Sequence, residues 1–319
     1  MSMSPAELES RLAAYLAVRQ AMGYAMRAER TLLADFVKFL VRRGEINPIR
    51  AQSALDWASQ SASERGASGT ASRLVMARRF LLHLRASYPS TEIPAHGLVA
   101  SARRPTPFLF TDDQIEGLVA AARKSGPQGS LRPYTLSILL GLLASTGLRV
   151  GEAARLSVTD VQLSVVPARL LVRETKFGKS RWVPLHSTTA ERLAEYLAKR
   201  KELSYDGLTE AFFISERGGP LRVSGLGRWF GQLVLQEGLW PDRGKRWPSL
   251  RSFRHTFAVG RLRAWYEEGA DVSALVPQLS VYLGHVCPEE TYWYLTATPE
   301  LLGEAAKRFS LYIGRGEEQ

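Results

Sequence analysis

Apolar residues recur at helical spacing along most of this 319-residue chain, while a strand pattern surfaces in one place only, residues 169–185. That contrast constrains the fold more than any other feature. It leaves room for one small antiparallel sheet and requires the rest to pack helix on helix. Leu8, Leu12, Tyr15 and Leu16 mark one stripe, and Leu32, Phe36, Phe39 and Leu40 another, so residues 5–45 read as helices. The same spacing runs through 51–60 and 72–87. Between them, the Ser-, Gly- and Ala-rich stretch 61–70 reads as a turn or short loop. No strand pattern precedes residue 105, and the N-terminal part is predicted to be a small bundle of about four or five helices.

The character of the chain changes at residues 94–107. The run 100–107 holds two prolines and no apolar period, as an extended linker does. Its Arg103 and Arg104 either lie along a phosphate backbone or face water in a hinge. The expected division is a helical domain over 1–98, a linker over 99–107 and a second domain over 108–319. In that second domain, Thr111, Asp112 and Asp113 precede an apolar-periodic stretch and mark a helix start. Helices are predicted over 133–145, 151–156, 188–202, 223–237, 253–268, 272–283 and 299–312. Strands are predicted over 169–172 and 180–185, joined by the polar turn 175–179. The expected fold class is therefore mainly α: an N-terminal helical bundle, then a mostly helical domain with a small antiparallel β-sheet.

Composition narrows what such a chain does. Hydrophobic residues make up 45% and charged residues 23%, the balance of a soluble globular protein rather than a disordered one. Its apolar stretches, such as 136–144, fall far short of the roughly 20 residues that span a bilayer. No basic start followed by an apolar segment suggests secretion. The lone Cys287 excludes an internal disulfide and a multi-cysteine zinc site, and it fits a reducing cytoplasm. Lys and Arg number 42 against 31 Asp and Glu, a net +11, of which +7 falls in residues 1–107 and +4 in the remainder. A basic excess in both parts points to a polyanion that touches both, and nucleic acid is the obvious one.

Four separated segments carry candidate chemistry. In the first, Gly147 follows an apolar helix and Arg149 begins the next, with Glu152 three residues on and able to face it. A helix N-terminus there would also attract an anion. In the second, Lys176 and Lys179 sit on the turn between the two strands. There a flexible lysine can reach a DNA groove and deliver a charge or a proton. In the third, Arg251 and Arg254 are three apart, so a helix sets both guanidinium groups on one face, an arrangement suited to a phosphate between them. In the fourth, Gly284 and His285 end one helix, and Tyr292 and Tyr294 lie on the next. Each segment alone has an ordinary explanation: an ion pair, a solvated turn, a basic face, core aromatics.

Together and in this order, the four segments resemble the tyrosine recombinase (phage-integrase-like) family. Its catalytic domain carries a Thr-Gly-Leu-Arg-x-x-Glu box, a hairpin Lys, a His-x-x-Arg-His-Thr box, and a Leu-Gly-His with a Tyr nine residues on. The resemblance covers residues 108–319 through these motifs. It extends to the first domain only through its helical, basic character, like the family's SAM-like core-binding domain. The tail from Thr291 is similar to that of mobile-element recombinases. The resemblance implies a site-specific DNA recombinase for integration, excision or transposition. Tyr294 would form a 3′-phosphotyrosyl bond, Lys176 would protonate the departing 5′-oxygen, and Arg149, Arg254 and His285 would bind the phosphate. Tyr294 is preferred to Tyr292, and Lys176 to Lys179, on motif spacing. Glu152 would orient Arg149.

One departure stands out. The family usually has His where this chain has Arg251, and an arginine donates hydrogen bonds but accepts no proton. The base would then be water or His285, since His255, pointing to another side of its helix, reads as structural. The implied chemistry needs no metal, ATP or other cofactor. The implied partners are double-stranded DNA, copies of the same chain in a tetrameric synapse and possible sister recombinases, with no membrane, in a cytoplasmic, nucleoid-associated protein. The apolar-periodic stretch 301–313 would dock on a neighbouring protomer. The aromatic-flanked basic segment 240–247 is either a DNA contact or a surface loop. A DNA-binding accessory protein of the same fold and a type IB topoisomerase are the competing readings.

Overall fold

The computed structural model describes residues 3–60, 62–99, 106–127, 129–173, 178–205, 207–241, 246–297, 301 and 303. The chain divides into two compact units, Met1–Arg104 and Pro105–Gln319. The expected linker falls at this division, and most of it lies outside the described residues.

In the first unit, the described residues form α1 (Pro5–Ala21), α2 (Arg27–Arg43), α3 (Ala51–Ser59) and α4 (Ala62–Arg85). The Ser4 hydroxyl accepts the Glu7 N–H and caps α1. Helix α2 stops at Gly44, whose φ of +66° is left-handed. The predicted stripes meet in one core: Leu8, Leu12, Tyr15 and Leu16 join Phe36, Leu40, Trp57, Phe80 and Leu81. One expectation fails here. Residues 62–70 are not a loop but the first turns of α4. Gly66 and Gly69 cost about 1 kcal/mol each against alanine. Extending a helix already held by Leu74, Ala77, Phe80 and Leu84 adds a backbone hydrogen bond per residue and offsets that cost.

The second unit begins with α5 (Asp112–Arg123), α6 (Arg132–Thr146) and the short α7 (Val150–Ala153). Thr111 caps α5 with a capping box: its Oγ1 accepts the Gln114 N–H at 3.3 Å, and Gln114 Oε1 accepts the Thr111 N–H at 3.1 Å. Helix α6 is buried on most of its surface and forms the centre of the unit. Helix α7 stops short of the predicted 156: Arg155 and Leu156 donate three residues back, to the Glu152 and Ala153 carbonyls at 3.2 and 3.3 Å, and the Leu156 carbonyl then accepts the Phe212 N–H at 2.7 Å.

Three antiparallel strands follow, in the order β1 (Val161–Gln162), β2 (Arg169–Val172) and β3 (Arg181–Pro184). The two longer ones were legible from alternation; two-residue β1 is too short to show any. Leu170 pairs with Val183, and both are fully buried. Helices α8 (Ser187–Glu202), α9 (Val223–Gln236), α10 (Leu250–Glu267), α11 (Val272–Leu283) and α12 (Glu289–Ala297) complete the unit. Helix α10 starts three residues before the predicted 253. There Ser252 Oγ accepts the Ser249 N–H at 3.1 Å and satisfies a terminal donor. The predicted helix over 299–312 lies outside the described residues, save Leu301 and Gly303. Leu301 is buried in the core formed by α10, α11 and α12. No described helix is long and apolar enough to cross a membrane.

Candidate functional site

The site is built around the C-terminus of α11. A helix leaves its last carbonyls without intrahelical partners. Three arginines from three other places take three consecutive ones. Arg181 Nε, on β3, donates to the Tyr282 carbonyl at 2.7 Å. Arg254 Nη2, on α10, donates to the Leu283 carbonyl at 2.7 Å. Arg149 Nη2, just before α7, donates to the Gly284 carbonyl at 3.0 Å. Arg254 Nη1 also donates to the Gly147 carbonyl at 3.0 Å. Both glycines are required. Gly284 has φ +68°, and a Cβ there would lie 2.6 Å from Arg181 Nη1. Gly147 has φ +62°, and a Cβ there would lie 2.6 Å from the Phe257 ring.

Glu152 holds this cluster together. Its carboxylate, 3% exposed, accepts from Arg149 Nη1 at 2.8 Å and from Arg181 Nη2 at 2.9 Å. It also accepts the Arg149 backbone N–H at 3.1 Å. Burial pushes the Glu152 carboxyl up, but the hydrogen bonds and charges of Arg181, and then of Arg149, outweigh it and hold its pKa below the ordinary value. The three guanidinium groups at the end of α11 thus come with one carboxylate, which pairs with two of them, and the end of α11 adds only partial negative charge. Burial, and then the charge of Arg149, lower the Arg254 pKa to about 10. That is far above neutrality, so Arg254 stays cationic. The cluster carries excess positive charge, and Arg149 and Arg254 each keep N–H donors beyond those described. It is suited to binding an anion.

The candidate tyrosine comes to this cluster from α12. Tyr294 is 2% exposed, whereas Tyr292 is 43% exposed and faces away. Two residues along a helix turn a side chain by about 200°. The His285 ring stacks on that of Tyr294, with centroids 6.5 Å apart. His285 Nδ1 lies 2.6 Å from Oγ1 of the fully buried Thr291, which orients the ring. The Tyr294 hydroxyl lies 2.9 Å from Nδ1 of His255.

Arg149, Arg254 and the His285–Tyr294 pair therefore come from three separated stretches of chain to one place. Lys176 lies outside the described residues, and Lys179 is exposed just before β3. Arg251 and Arg254 do not form a matched pair. Arg254 is buried and tied to carbonyls, while Arg251, one turn earlier, is exposed. At four residues, α7 has little dipole to attract an anion, so the Arg149 guanidinium itself carries that role. The Arg149–Glu152 pair is not an ordinary surface pair, because Glu152 is buried.

Two residues escaped sequence reasoning. His255 does point to another side of α10 than Arg254, and α12 brings Tyr294 to that side, so His255 contacts the candidate tyrosine. Arg181 lies in the predicted strand 180–185 and was not singled out; its signal was a charge at a position facing the sheet's covered side. Trp240 and Trp247 are exposed and pack edge to face at 5.5 Å, with residues 242–245 between them outside the described set. Among the described residues, no group of three or more His, Cys, Asp or Glu is placed to hold a metal ion.

Comparison with known proteins gives consistent matches. A model of the phage integrase family matches residues 109–300. The y4rB protein of Sinorhizobium fredii, whose integrase/recombinase name is provisional, is 38% identical over 299 residues, covering 92% of this chain and 94% of its own. The tyrosine recombinase XerD of Mycobacterium tuberculosis is 34% identical over 250 residues, covering 74% of this chain and 75% of its own. Among solved structures, XerH site-specific recombinase bound to a palindromic difH substrate covers 96% of this chain and 85% of its own, with a TM-score of 0.69 at 17% identity. A lambda integrase tetramer bound to a Holliday junction covers 90% of this chain and 76% of its own, with a TM-score of 0.63 at 20% identity. At such identities the two structures establish the fold alone.

Proposed function

This chain belongs to the phage integrase family of tyrosine recombinases, and on that premise we propose that it cuts and rejoins DNA at specific sites through a covalent link to Tyr294. The observation that carries this reading is the convergence of Arg149 and Arg254 on the end of α11, next to His285, whose ring faces that of Tyr294, in a cluster with more guanidinium than carboxylate.

Phosphoryl transfer gathers charge on the non-bridging oxygens, and guanidinium groups are suited to neutralise it. In the proposed step the Tyr294 oxygen attacks the scissile phosphorus. A 3′-phosphotyrosyl bond forms, the bond to the 5′-oxygen breaks, and Lys176 gives that oxygen its proton. Arg149 and Arg254 hold the phosphate, His285 donates a hydrogen bond to it, and Arg251 supplies a further cation at the open end of α10. A 5′-hydroxyl from another duplex then attacks the phosphotyrosine and releases the enzyme. The phosphodiester energy stays in the protein–DNA link, so exchange consumes no ATP.

Strand exchange between two sites engages four copies of the chain, an arrangement that lambda integrase adopts on a Holliday junction. The physiological reaction is integration, excision or transposition, carried out by a protein associated with the nucleoid.

Covalent trapping tests the reading. The protein is incubated with end sequences of its own element, nicked near the cleavage site, and protein–DNA adducts that survive denaturation are mapped by mass spectrometry. The expected adduct is on Tyr294 and is lost in Tyr294→Phe. An adduct on Tyr292 would overturn the choice of nucleophile. Specific binding with no adduct would favour an accessory DNA-binding role.

A further inference from the structure

We propose that His255 takes the proton of the Tyr294 hydroxyl as the tyrosine attacks, and so serves as the base of this site. The inference rests on the reading of Tyr294 as nucleophile.

A phenol with a pKa near ~10 is almost wholly protonated at neutral pH. Its oxygen becomes a competent nucleophile only as the proton leaves, so a group within hydrogen-bond reach must receive it. Among the described residues, the candidates can be taken in turn. Arg149, Arg181 and Arg254 are cations with donors only. Arg251 is another, and it cannot accept a proton either. Glu152 has its carboxylate engaged by Arg149 and Arg181. The His285 ring lies nearly parallel to the tyrosine ring with centroids 6.5 Å apart, its Nδ1 turned to Thr291 and its Nε2 lying 3.8 Å from the Glu290 carboxylate. His255 is the described imidazole with a nitrogen on the hydroxyl itself, at 2.9 Å, inside the range that proton transfer requires.

The fold explains why this residue reaches the hydroxyl. Successive residues on a helix are turned by about 100°. Arg254 therefore points to the end of α11 and the Gly147 carbonyl, while His255, next in sequence, points to α12. One stretch of α10 thus supplies both a phosphate-binding cation and a contact to the attacking oxygen. His255 is 8% exposed and packs edge to face on Trp293, which fixes the plane of its ring.

In the proposed step His255 begins as the tautomer with its proton on Nε2. The Tyr294 oxygen forms its bond to phosphorus as its proton passes to His255 Nδ1, giving an imidazolium. The 5′-oxygen leaves with a proton from Lys176. When the phosphotyrosine is resolved, His255 returns the proton to the tyrosine oxygen, and the attacking 5′-hydroxyl gives its own to Lys176. Protons and charge balance over the full cycle.

The test combines two changes in the trapping assay. His255→Asn keeps a hydrogen-bond acceptor near Nδ1 but takes up no proton. It is expected to slow adduct formation about 10²–10⁴-fold, the usual size of general base catalysis, with specific DNA binding within about twofold of wild type. A fluorinated tyrosine at position 294, whose phenol is more acidic, should then restore most of the lost rate in His255→Asn and little in Lys176→Ala. Adducts at or above the wild-type rate in His255→Asn would overturn the proposal and make His255 a packing residue or a restraint on the tyrosine. A slow His255→Asn that the acidic tyrosine does not help would also overturn it, leaving a positioning role alone. Should His255→Asn bind DNA poorly, the wild-type background decides: an acidic tyrosine there must lower the pH at which adducts form, and an unmoved profile sinks the idea. Loss of all adducts in Tyr294→Phe is required throughout; persistence of an adduct there would instead defeat the reading of the nucleophile.

Discussion

Glu152 is the residue on which the arginine cluster depends. Its pKa is depressed in the folded chain, so its stabilising contribution is complete above the ordinary value near 4.5 and is lost as pH falls through the lower folded value. Glu152→Gln removes the charge but keeps the shape. It is expected to destabilise the second unit by up to about 3–5 kcal/mol near neutrality, the cost of leaving a buried charge without its partner. Denaturant unfolding from pH 7 down to pH 3 should show the gap to wild type closing on the acid side. A gap that does not change with pH would mean that shape, not charge, is what Glu152 supplies. The pairing of Glu152 with Arg149 was legible from a three-residue spacing. The second pairing, with Arg181, was not, because 29 residues and a β-hairpin separate the partners in sequence.

At the scale of elements, local chemistry and tertiary demand divide the credit. Helix α5 starts where Thr111, Asp112 and Asp113 say it should, because a capping box is a contact within four residues. Thr111→Ala is expected to cost about 1 kcal/mol and to lower the melting temperature of the second unit by about 2–4 °C. Adduct formation should be unchanged below that transition, since the cap touches none of the site residues. A calorimetric scan with a trapping assay on the same sample checks both halves. Where local chemistry was weak, packing overruled it. Residues 62–70 look like a loop by composition yet continue α4, and α7 breaks off early, where the chain leaves it and the Leu156 carbonyl meets the distant Phe212 N–H.

For the whole molecule, the charge excess of +11 makes a claim about binding rather than about fold. DNA affinity should fall linearly on a log–log plot against salt, and Arg251→Ala should reduce the slope by about 1 if its guanidinium meets a phosphate. Filter binding across a salt series measures this, and an unchanged slope would remove Arg251 from the interface. The sequence by itself determined the helical class, the hairpin, most helix limits and the set of chemical groups, because periodicity, caps and motif spacing are properties of neighbours along the chain. Only the tertiary structure decided how those groups are used. It gave the end of α11 its three arginines, buried the lone carboxylate between two of them, and turned His255 toward Tyr294. Apart from the local Glu152–Arg149 pair, those contacts join residues 29 to 135 positions apart, and which distant faces meet is set by the packing of whole helices around α6, not by any local rule.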